Sequence, residues 1–451
     1  MKPLKRSTIT ILAVALVLGI TVLDLHASLR GPGRVARKRL SSSVAQITVY
    51  DWRGSFVRQG WGFFINREGH IIAPRSLLEG GFYLEATTAS RDTVLINRVL
   101  AEDVEGNFIR LGLESTPEKF AYLERSAPLP REGERVLVGG GIGCEPGAFL
   151  DGIFGGVRKV PVYGSLIRIE SPFASAGSPV FNEKGTLVAV VLFRLESGSG
   201  SAWAVPVGRI AKVMTEKVVP VEHLTWAENG RVNWERTTVG SYMTGLAYYW
   251  TGQYGSAMPR LMAATKDERF RKEAFFLLGC CYDAVGQHRS SVDAYSMALR
   301  LGDSSHQTFL NLARAYLVQG DLPEALEATW MAVRAKLDGY EGFTLLAEVF
   351  NSMNKYQEAL AGAYAAIGID PERAEAYHQK GIALMGQHDY EQAIVVLKRS
   401  LKIDPHRSRA YWDLALAYYR SGDREAAAGI CRDLKKVDPT LAEQLLTRVT
   451  R

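Results

Sequence analysis

Two serines in the stretch SPFASAGSPVFNEKG, residues 171–185, are the residues of this chain best placed to act as nucleophiles. Ser175 and Ser178 lie on either side of Ala176 in what reads as a tight turn before a strand. A serine hydroxyl attacks a carbonyl only when a nearby base takes its proton. The first question is therefore whether the sequence supplies that base.

No basic group stands close to these serines in the sequence. Between residues 40 and 220 the one histidine is His70, which begins the run HIIAP and is expected at a strand edge on the surface. Lys184 could form a serine–lysine pair, but it lies beyond the strand that follows the turn. The thiol of this region, Cys144, has no histidine partner. We expect both serines to bond to the turn backbone.

The elements around this turn read as short β-strands. Residues 44–215 contain apolar runs broken by glycine and polar turns, such as VAQITVY, GWGFFIN, DTVLINRVL, RVLVGG, GSLIRIE and TLVAVVLF. Many short strands at close spacing predict a sandwich or a pair of barrels. The segment PVGRIAKVMTEK then predicts a helix that closes this domain.

Four blocks of this region resemble a trypsin-like serine protease of the HtrA/Deg type. They are VAQITVY with GWGFFINREGHIIAPRSLLEGG, then AEDVEGNFIRLGL, SPFASAGSPVFNEKGTLVAVVLF and SAWAVPVGRIAKVM, and together they cover 44–215. The resemblance implies two six-stranded β-barrels with an active site in the cleft between them.

The resemblance also implies where the catalytic triad would lie, and all three positions are replaced. Ser76 in APRSLL takes the histidine position, and Asn107 in NFIRL takes the aspartate position. Aligning Pro179 puts Ala176 at the serine, and Ala174 replaces a glycine of the oxyanion turn. The resemblance therefore predicts a barrel pair without protease activity.

The second half of the chain repeats itself every 34 residues. Small residues recur at this interval, and seven residues later a turn residue follows that is glycine in four of six repeats. The small residues are Gly245, Gly279, Ala313, Ala347, Gly381 and Ala415. Small side chains allow paired helices to cross closely. The pattern resembles a tetratricopeptide-repeat (TPR) array, with six repeats over 238–441, and predicts an all-α superhelical solenoid.

The first helices of such repeats form a concave groove that commonly holds a peptide or protein segment. By repeat position, the candidates for groove-lining side chains are Tyr242, Tyr249, Phe276, Arg314, Glu348, Trp412 and Tyr419. Each of these aromatics could instead pack against neighbouring helices. The histidines at 306, 378, 388 and 406 share no metal-ligand spacing, and we expect them on the solvated surface.

The N-terminus predicts a contact with a membrane. A basic head precedes an apolar run from Ile9 to Leu23, as in a signal anchor or a secretory signal peptide. Eight basic residues and one acidic residue give residues 1–44 a charge of +7, which leaves about −1 for the rest of a chain of net charge +6. This distribution favours a membrane surface over nucleic acid as a partner.

These patterns predict a trypsin-like double β-barrel followed by an α solenoid. The expected boundaries are an N-terminal anchor or signal at 1–30, a basic linker at 31–43, the barrels at 44–218, a linker at 219–237, the repeats at 238–441 and a tail at 442–451. The four cysteines predict no disulfide framework, and no cofactor or metal is expected.

The predicted function is a scaffold without enzyme activity that binds protein or peptide partners through its repeats. The expected location is the bacterial inner membrane with the domains in the periplasm, or secretion if the N-terminal segment is cleaved. The alternative is an active peptidase that uses Ser175 or Ser178 as a displaced nucleophile. The sequence predicts neither the partner nor the oligomeric state.

Overall fold

The structure, a computed structural model, describes residues 40–51, 53–117, 120–123, 128–161, 163–195, 201–215 and 236–449. The N-terminal apolar segment and nearly all of the expected 219–237 linker lie outside these residues. The chain divides into two compact units, Met1–Ala264 and Thr265–Arg451. No helix in the described ranges has both the length and the apolar character needed to cross a membrane.

The apolar runs after residue 44 form two closed antiparallel barrels. The strands of the first are β1 (Val44–Tyr50), β2 (Phe56–Phe64), β3 (Ile71–Pro74), β4 (Tyr83–Thr87), β5 (Thr93–Asp103) and β6 (Phe108–Leu113). They neighbour one another in the order β1-β2-β3-β6-β5-β4. Inward-facing side chains such as Ile47, Leu84 and Ile109 are fully buried, and each stabilises the barrel by about 1.5–3 kcal/mol.

The second barrel repeats this arrangement. Its strands are β7 (Arg135–Gly139), β8 (Phe149–Val160), β9 (Gly164–Glu170), β10 (Pro179–Phe181), β11 (Leu187–Arg194) and β12 (Ser201–Pro206). They neighbour one another in the order β10-β11-β12-β9-β8-β7, and β11 is buried along nearly its whole length. The predicted double barrel is confirmed.

Trp61 on β2 holds the two barrels together. Its side chain is 3% exposed, and its Nε1–H donates to the carbonyl oxygen of Gly141 at 3.2 Å. A Cβ atom on Gly140 would lie 2.2 Å from the Trp61 ring, so this approach requires glycine. The helix α1 (Val207–Thr215) adds a second link, because Arg209 pairs with Asp103 of the first barrel at 2.8 Å.

Residues after 237 form thirteen helices within the described part of the chain. Six pairs are α2 (Thr238–Trp250) with α3 (Tyr254–Ala264), α4 (Glu268–Ala284) with α5 (His288–Arg300), α6 (His306–Gln319) with α7 (Leu322–Ala335), α8 (Tyr340–Ser352) with α9 (Tyr356–Ile369), α10 (Ala374–Gly386) with α11 (Tyr390–Ile403), and α12 (Ser408–Ser421) with α13 (Arg424–Val437). A last helix, α14 (Pro439–Val449), follows them. The predicted α solenoid is confirmed.

The small residues of the 34-residue repeat lie where the two helices of a pair approach most closely. A Cβ atom on Gly279 of α4 would lie 2.4 Å from the ring of Tyr295 on α5. Ala313, Ala347 and Ala415 at the equivalent positions are fully buried. The repeat in the sequence therefore reflects close packing of each helix pair.

The first helix pair belongs to the same compact unit as the barrels. Ten consecutive residues of α2, from Val239 to Tyr248, are buried. A helix buried on all sides is part of a core rather than of a solvated surface. At the end of α2, the Trp250 ring packs on the ring of Trp203 from β12, with 5.4 Å between centroids.

The C-terminal residues differ from the expected tail. The helix α14 begins at Pro439 and includes most of the segment 442–451. Ala442 and Leu445 on this helix are buried against Ala415 and Leu434 of the last helix pair. Their burial gives the C-terminal end of the array a covering helix, as repeat arrays require.

Candidate functional site

Pairing of β3 with β6 brings Ser76 and Asn107 together. Pro74 at the end of β3 pairs with Phe108 at the start of β6, so the residues next to each strand end become neighbours. The Nδ2 atom of Asn107 donates to the hydroxyl oxygen of Ser76 at 3.0 Å. In return, the backbone N–H of Ser76 donates to Oδ1 of Asn107 at 2.8 Å. The two side chains therefore hold each other in place.

Asn107 adopts a backbone conformation that few residue types tolerate. Its φ angle is +61°, in the left-handed region, and its side chain is 2% exposed. Asparagine and aspartate enter this region more readily than other residues with a Cβ atom. The carbonyl of Asn107 also accepts a hydrogen bond from the backbone N–H of Arg75 at 2.9 Å. This position therefore suits asparagine or aspartate.

The turn with Ser175 and Ser178 lies close to Ser76 and Asn107 because Gly177 allows its backbone to approach β2. Its φ angle is +85°, and a Cβ atom there would lie 2.1 Å from the backbone oxygen of Trp61. Its N–H donates to the carbonyl of Val191 at 2.9 Å, which fixes the turn to β11. The result is that Ala176 and Ser175 face a cavity shared with Ser76 and Asn107.

The cavity between these elements has a volume of about 270 Å³. Its described lining residues are Arg58, Gln59, Gly60, Pro74, Ser76, Leu77, Glu79, Asn107, Ser175, Ala176 and Leu192. None of them is a histidine or a lysine, and the carboxylate of Glu79 lies 3.7 Å from Arg58. The Oγ atoms of Ser175 and Ser178 are buried without a hydrogen-bond partner in the described part of the chain, so the expectation that they bond to the turn backbone was wrong. Among those same residues, neither hydroxyl has a general base within hydrogen-bond distance.

The other two reactive side chains of the barrels lie apart from this lining. His70 is half-buried, and its Nδ1 atom is 2.8 Å from Nδ2 of Asn66. Burial lowers the pKa of His70, so its neutral form is favoured. Cys144 is a half-buried free cysteine, and burial raises the pKa of its thiol. Neither group lines the cavity or forms a hydrogen bond with the hydroxyl of Ser175 or Ser178.

The solenoid carries two adjoining cavities, of about 560 and 480 Å³. Most of their lining residues come from α8, α10 and α12, the first helices of three successive pairs. Glu348, Glu375 and Arg407 line both cavities. Of the side chains predicted for the groove, Glu348 lines both, Trp412 lines the larger and Arg314 lines the smaller.

The other four predicted groove residues line neither cavity and pack mainly on their neighbours. Tyr242 is fully buried, so its side chain is not available to a ligand. Tyr249 is half-buried and makes an edge contact with the ring of Tyr254. Phe276 packs against Tyr295 in the core of the neighbouring helix pairs. Tyr419 packs against the cluster that Leu434 and Leu445 form.

A charged network crosses the floor of the larger cavity. His378 is 3% exposed, and its Nε2 atom lies 2.7 Å from Oδ2 of Asp413. Glu375 accepts a hydrogen bond from Gln379 at 3.3 Å and pairs with Arg407. The expectation that His378 lies on the solvated surface was wrong, because these two carboxylates compensate for its burial.

The network shifts the pKa values of its members in opposite directions. Burial would lower the pKa of His378, but Asp413 and Glu375 raise it above its usual 6.5. Burial would raise the pKa of Glu375, but His378 and Arg407 lower it to about 2. The ionised forms of both groups are therefore favoured together.

These shifts predict how the stability of the solenoid depends on pH. Glu375 contributes fully to the free energy of unfolding above pH 4.5. This contribution falls by about 1–2 kcal/mol as the pH drops towards 2, after allowance for the partial exposure of the side chain. The contribution of His378 is present below pH 6.5 and decreases as the pH rises through its elevated pKa. We expect His378→Gln to abolish the loss on the alkaline side, as measured by the melting temperature between pH 3 and 9.

A matched control for this prediction is His406→Gln. His406 is exposed, and Asp413 is paired with His378 instead. This variant should keep the pH profile of the wild-type protein. If the wild-type and His378→Gln profiles run parallel above pH 6.5, the histidine does not stabilise the solenoid in its charged form.

Comparison with known proteins identifies repeats within the solenoid. Family models for the tetratricopeptide repeat match residues 384–449 and 282–329. The solenoid therefore contains tetratricopeptide repeats, the class that the 34-residue spacing predicted. No curated protein matches the sequence significantly.

The solved structures similar to this chain include a protease and two TPR proteins. The Rv3671c protease from M. tuberculosis in its active form has 17% identity over 41% of this chain and 86% of that chain, with a TM-score of 0.35. The thermophilic TPR protein TTC0263 from Thermus thermophilus has 19% identity over 40% and 97%, with a TM-score of 0.36. YrrB, described as a TPR protein with an unusual peptide-binding site, has 19% identity over 41% and 96%, with a TM-score of 0.32.

Proposed function

We propose that this protein is a scaffold that binds an extended segment of a protein partner in the groove of its tetratricopeptide repeats. The observation that carries this proposal is the pair of adjoining cavities that share Glu348, Glu375 and Arg407. Together they provide charged groups and the apolar surfaces of Ile382 and Trp412 along the first helices of three repeats. A groove of this composition suits a peptide better than a small apolar ligand.

In this proposal the barrels are a trypsin-like domain of HtrA/Deg type without protease activity. The mutual hydrogen bonds of Ser76 and Asn107 support this role, because each side chain satisfies the other. Ala176, which faces the same cavity, has no nucleophilic atom. The barrel domain would then serve as a structural or binding module.

The alternative is a peptidase that uses Ser175 or Ser178. Both hydroxyls are buried without a hydrogen-bond partner among the described residues, which is the observation in favour of this alternative. A buried hydroxyl still requires a base, and the cavity lining of the barrels offers none beside it. The scaffold therefore remains our proposal.

The proposal places the protein at the bacterial inner membrane, with the barrels and the solenoid in the periplasm. The basic N-terminus and the apolar run Ile9–Leu23 support such an anchor. Cleavage of this segment would instead release a secreted protein with the same binding domains.

Peptide binding by the groove can be tested with Trp412→Ala. A random peptide library displayed on phage is selected against the full-length protein, and the affinity of the enriched peptides is measured by isothermal titration calorimetry. We expect the Trp412→Ala variant to bind them at least about tenfold more weakly, because aromatic side chains in a groove often dominate binding. Circular dichroism confirms that the variant is folded.

Trp330→Ala is the matched control for this experiment. Trp330 lies on α7, is 41% exposed and lines neither cavity. Its loss should leave the affinity within about twofold of the wild-type value. Equal affinity of wild-type protein and the Trp412→Ala variant would contradict binding in this groove.

A further inference from the structure

A chain of hydrogen bonds fixes the amide orientation of Asn351 on α8. Its Nδ2 atom donates to the backbone oxygen of Gln379 at 2.9 Å and to its Oε1 atom at 3.1 Å. Gln379 uses its own Nε2 atom to donate to Oε1 of Glu375 at 3.3 Å. Each amide nitrogen faces an oxygen that can only accept a hydrogen bond. The orientation of both side-chain amides is therefore fixed.

This orientation leaves an unsatisfied acceptor in the wall of the larger cavity. Asn351 is only 9% exposed, and its Oδ1 atom is buried without a hydrogen-bond partner among the described residues. Buried polar atoms of native proteins normally have a partner, and an exception calls for an explanation. Because Asn351 lines the cavity, a ligand there can supply the missing donor.

Glu348 presents a second acceptor on the same face of α8. It precedes Asn351 by three residues, so the two side chains are neighbours on the helix surface. The carboxylate of Glu348 is half-buried and makes no hydrogen bond or ion pair in the described part of the chain. Burial and the nearby charge of Glu375 raise its pKa. A cation that binds this carboxylate would relieve both effects.

The positive charges around the cavity do not fill this role. Arg407 is already paired with Glu375 and lies 3.7 Å from Asp404. Arg314 and Arg409 are exposed and His378 is paired with Asp413, and these three groups act on Glu348 only at longer range. The larger cavity therefore contains two acceptors without donors among the described residues, and its arginines are either neutralised by carboxylates or solvated.

We propose that Glu348 and Asn351 form a subsite for the protonated nitrogen of a lysine or arginine side chain in a bound peptide. The inference rests on the proposed peptide-binding function and adds the chemistry of one ligand residue. Two oxygen acceptors suit an ammonium or guanidinium group, which carries several N–H donors and no acceptor. Charge complementarity with the carboxylate of Glu348 favours this ligand over a neutral one.

The apolar surfaces of the same cavity fit the rest of such a side chain. Ile382, Trp412 and Leu441 line the cavity together with the two acceptors. Lysine and arginine bury their methylene groups on apolar surface while the charged end binds a polar group. An N-terminal ammonium group has no such stem, so a side chain fits these surfaces better.

The test compares peptides selected on the full-length wild-type protein with those selected on Glu348→Gln. This substitution keeps the shape of the side chain and removes its charge. We expect wild-type protein to enrich lysine or arginine at one peptide position, and Glu348→Gln to lose this preference and bind the same peptides at least about tenfold more weakly. Glu358→Gln, on the exposed face of α9 and outside both cavity linings, should behave as wild type.

Synthetic variants of one enriched peptide identify the source of the nitrogen. Replacing its basic residue by norleucine should weaken binding as much as Glu348→Gln does, and should have no further effect on that variant. Acetylating the peptide N-terminus should leave the affinity unchanged, whereas a loss on acetylation alone would overturn the assignment to a side chain.

The outcomes separate this inference from the proposed function. Enriched peptides without a basic preference, or a preference that Glu348→Gln retains, overturn the cationic subsite and leave peptide binding intact. If the wild-type protein enriches no peptide at all, the groove does not bind peptides and the subsite fails with it.

Discussion

Introducing Ser76→His, Asn107→Asp and Ala176→Ser together is expected to produce a protein that a fluorophosphonate probe labels at position 176. Ala176→Ser alone is expected to be labelled at least about 100-fold more slowly, because a positioned general base contributes on the order of 10²–10⁴ to the rate. The wild-type protein should not be labelled. The measurement is the labelling rate of purified full-length proteins, with the labelled residue identified by mass spectrometry.

The structure gives three reasons for this expectation. Ser76 and Asn107 already contact each other through their side chains, at 3.0 Å, and Ala176 faces the same cavity. Aspartate tolerates the left-handed backbone at position 107 and can accept the hydrogen bonds that a histidine and the backbone N–H of residue 76 would donate. The cavity of about 270 Å³ gives space for an imidazole ring.

Each control addresses a different alternative. Labelling of the wild-type protein that disappears in Ser175→Ala or Ser178→Ala would establish the displaced nucleophile and exclude the inactive barrel pair. An unlabelled but folded triple variant would contradict the expectation that these three substitutions restore a nucleophile. Melting temperatures of all variants show whether they are folded.

Trp203→Ala is expected to cause a large loss of stability in the barrel unit. The Trp203 side chain is 1% exposed and packs on the ring of Trp250. Truncation of a buried tryptophan costs about 3–5 kcal/mol. The predicted result is a lower midpoint of urea unfolding for the barrel unit. The measurement is the intrinsic fluorescence of the full-length protein during a urea titration.

Trp203→Phe is the matched control, since it keeps an aromatic ring against Trp250. The Nε1–H of Trp203 has no hydrogen-bond partner in the described part of the chain, so the phenylalanine variant loses no such bond and should cost less than about 2 kcal/mol. A double-mutant cycle with Trp250→Ala should give a coupling of about 0.5–1.5 kcal/mol. A coupling near zero would mean that the two rings do not stabilise each other.

The sequence predicted the architecture because both halves of the chain carry strong local signals. Short apolar runs separated by glycine and polar turns mark the barrel strands, and the small residues at Gly279 and Ala313 mark the close helix crossings. The boundaries were harder to predict. The segment 442–451 was expected to be a tail, whereas the helix that begins at Pro439 includes most of it, and its residues Ala442 and Leu445 complete the hydrophobic core.

The candidate sites could be predicted only in part. Repeat position indicates the first helices of the pairs, but it does not distinguish Glu348, which lines both cavities, from Tyr242, which is fully buried. The burial of His378 could not be predicted from the sequence either. Its partner Asp413 lies on a different helix pair of the array, so no local pattern in the sequence reveals the network that it forms with Glu375.

Packing of the first helix pair with the barrels has a consequence for proteolytic processing. A single cut between residues 215 and 236 would break the chain inside one compact unit, because α2 and α3 belong with the barrels. The buried helix α2 and the contact of Trp250 with Trp203 would then oppose release of the repeats. A cut between Ala264 and Thr265 would instead fall at the boundary of the two units and leave the chain of each unit intact.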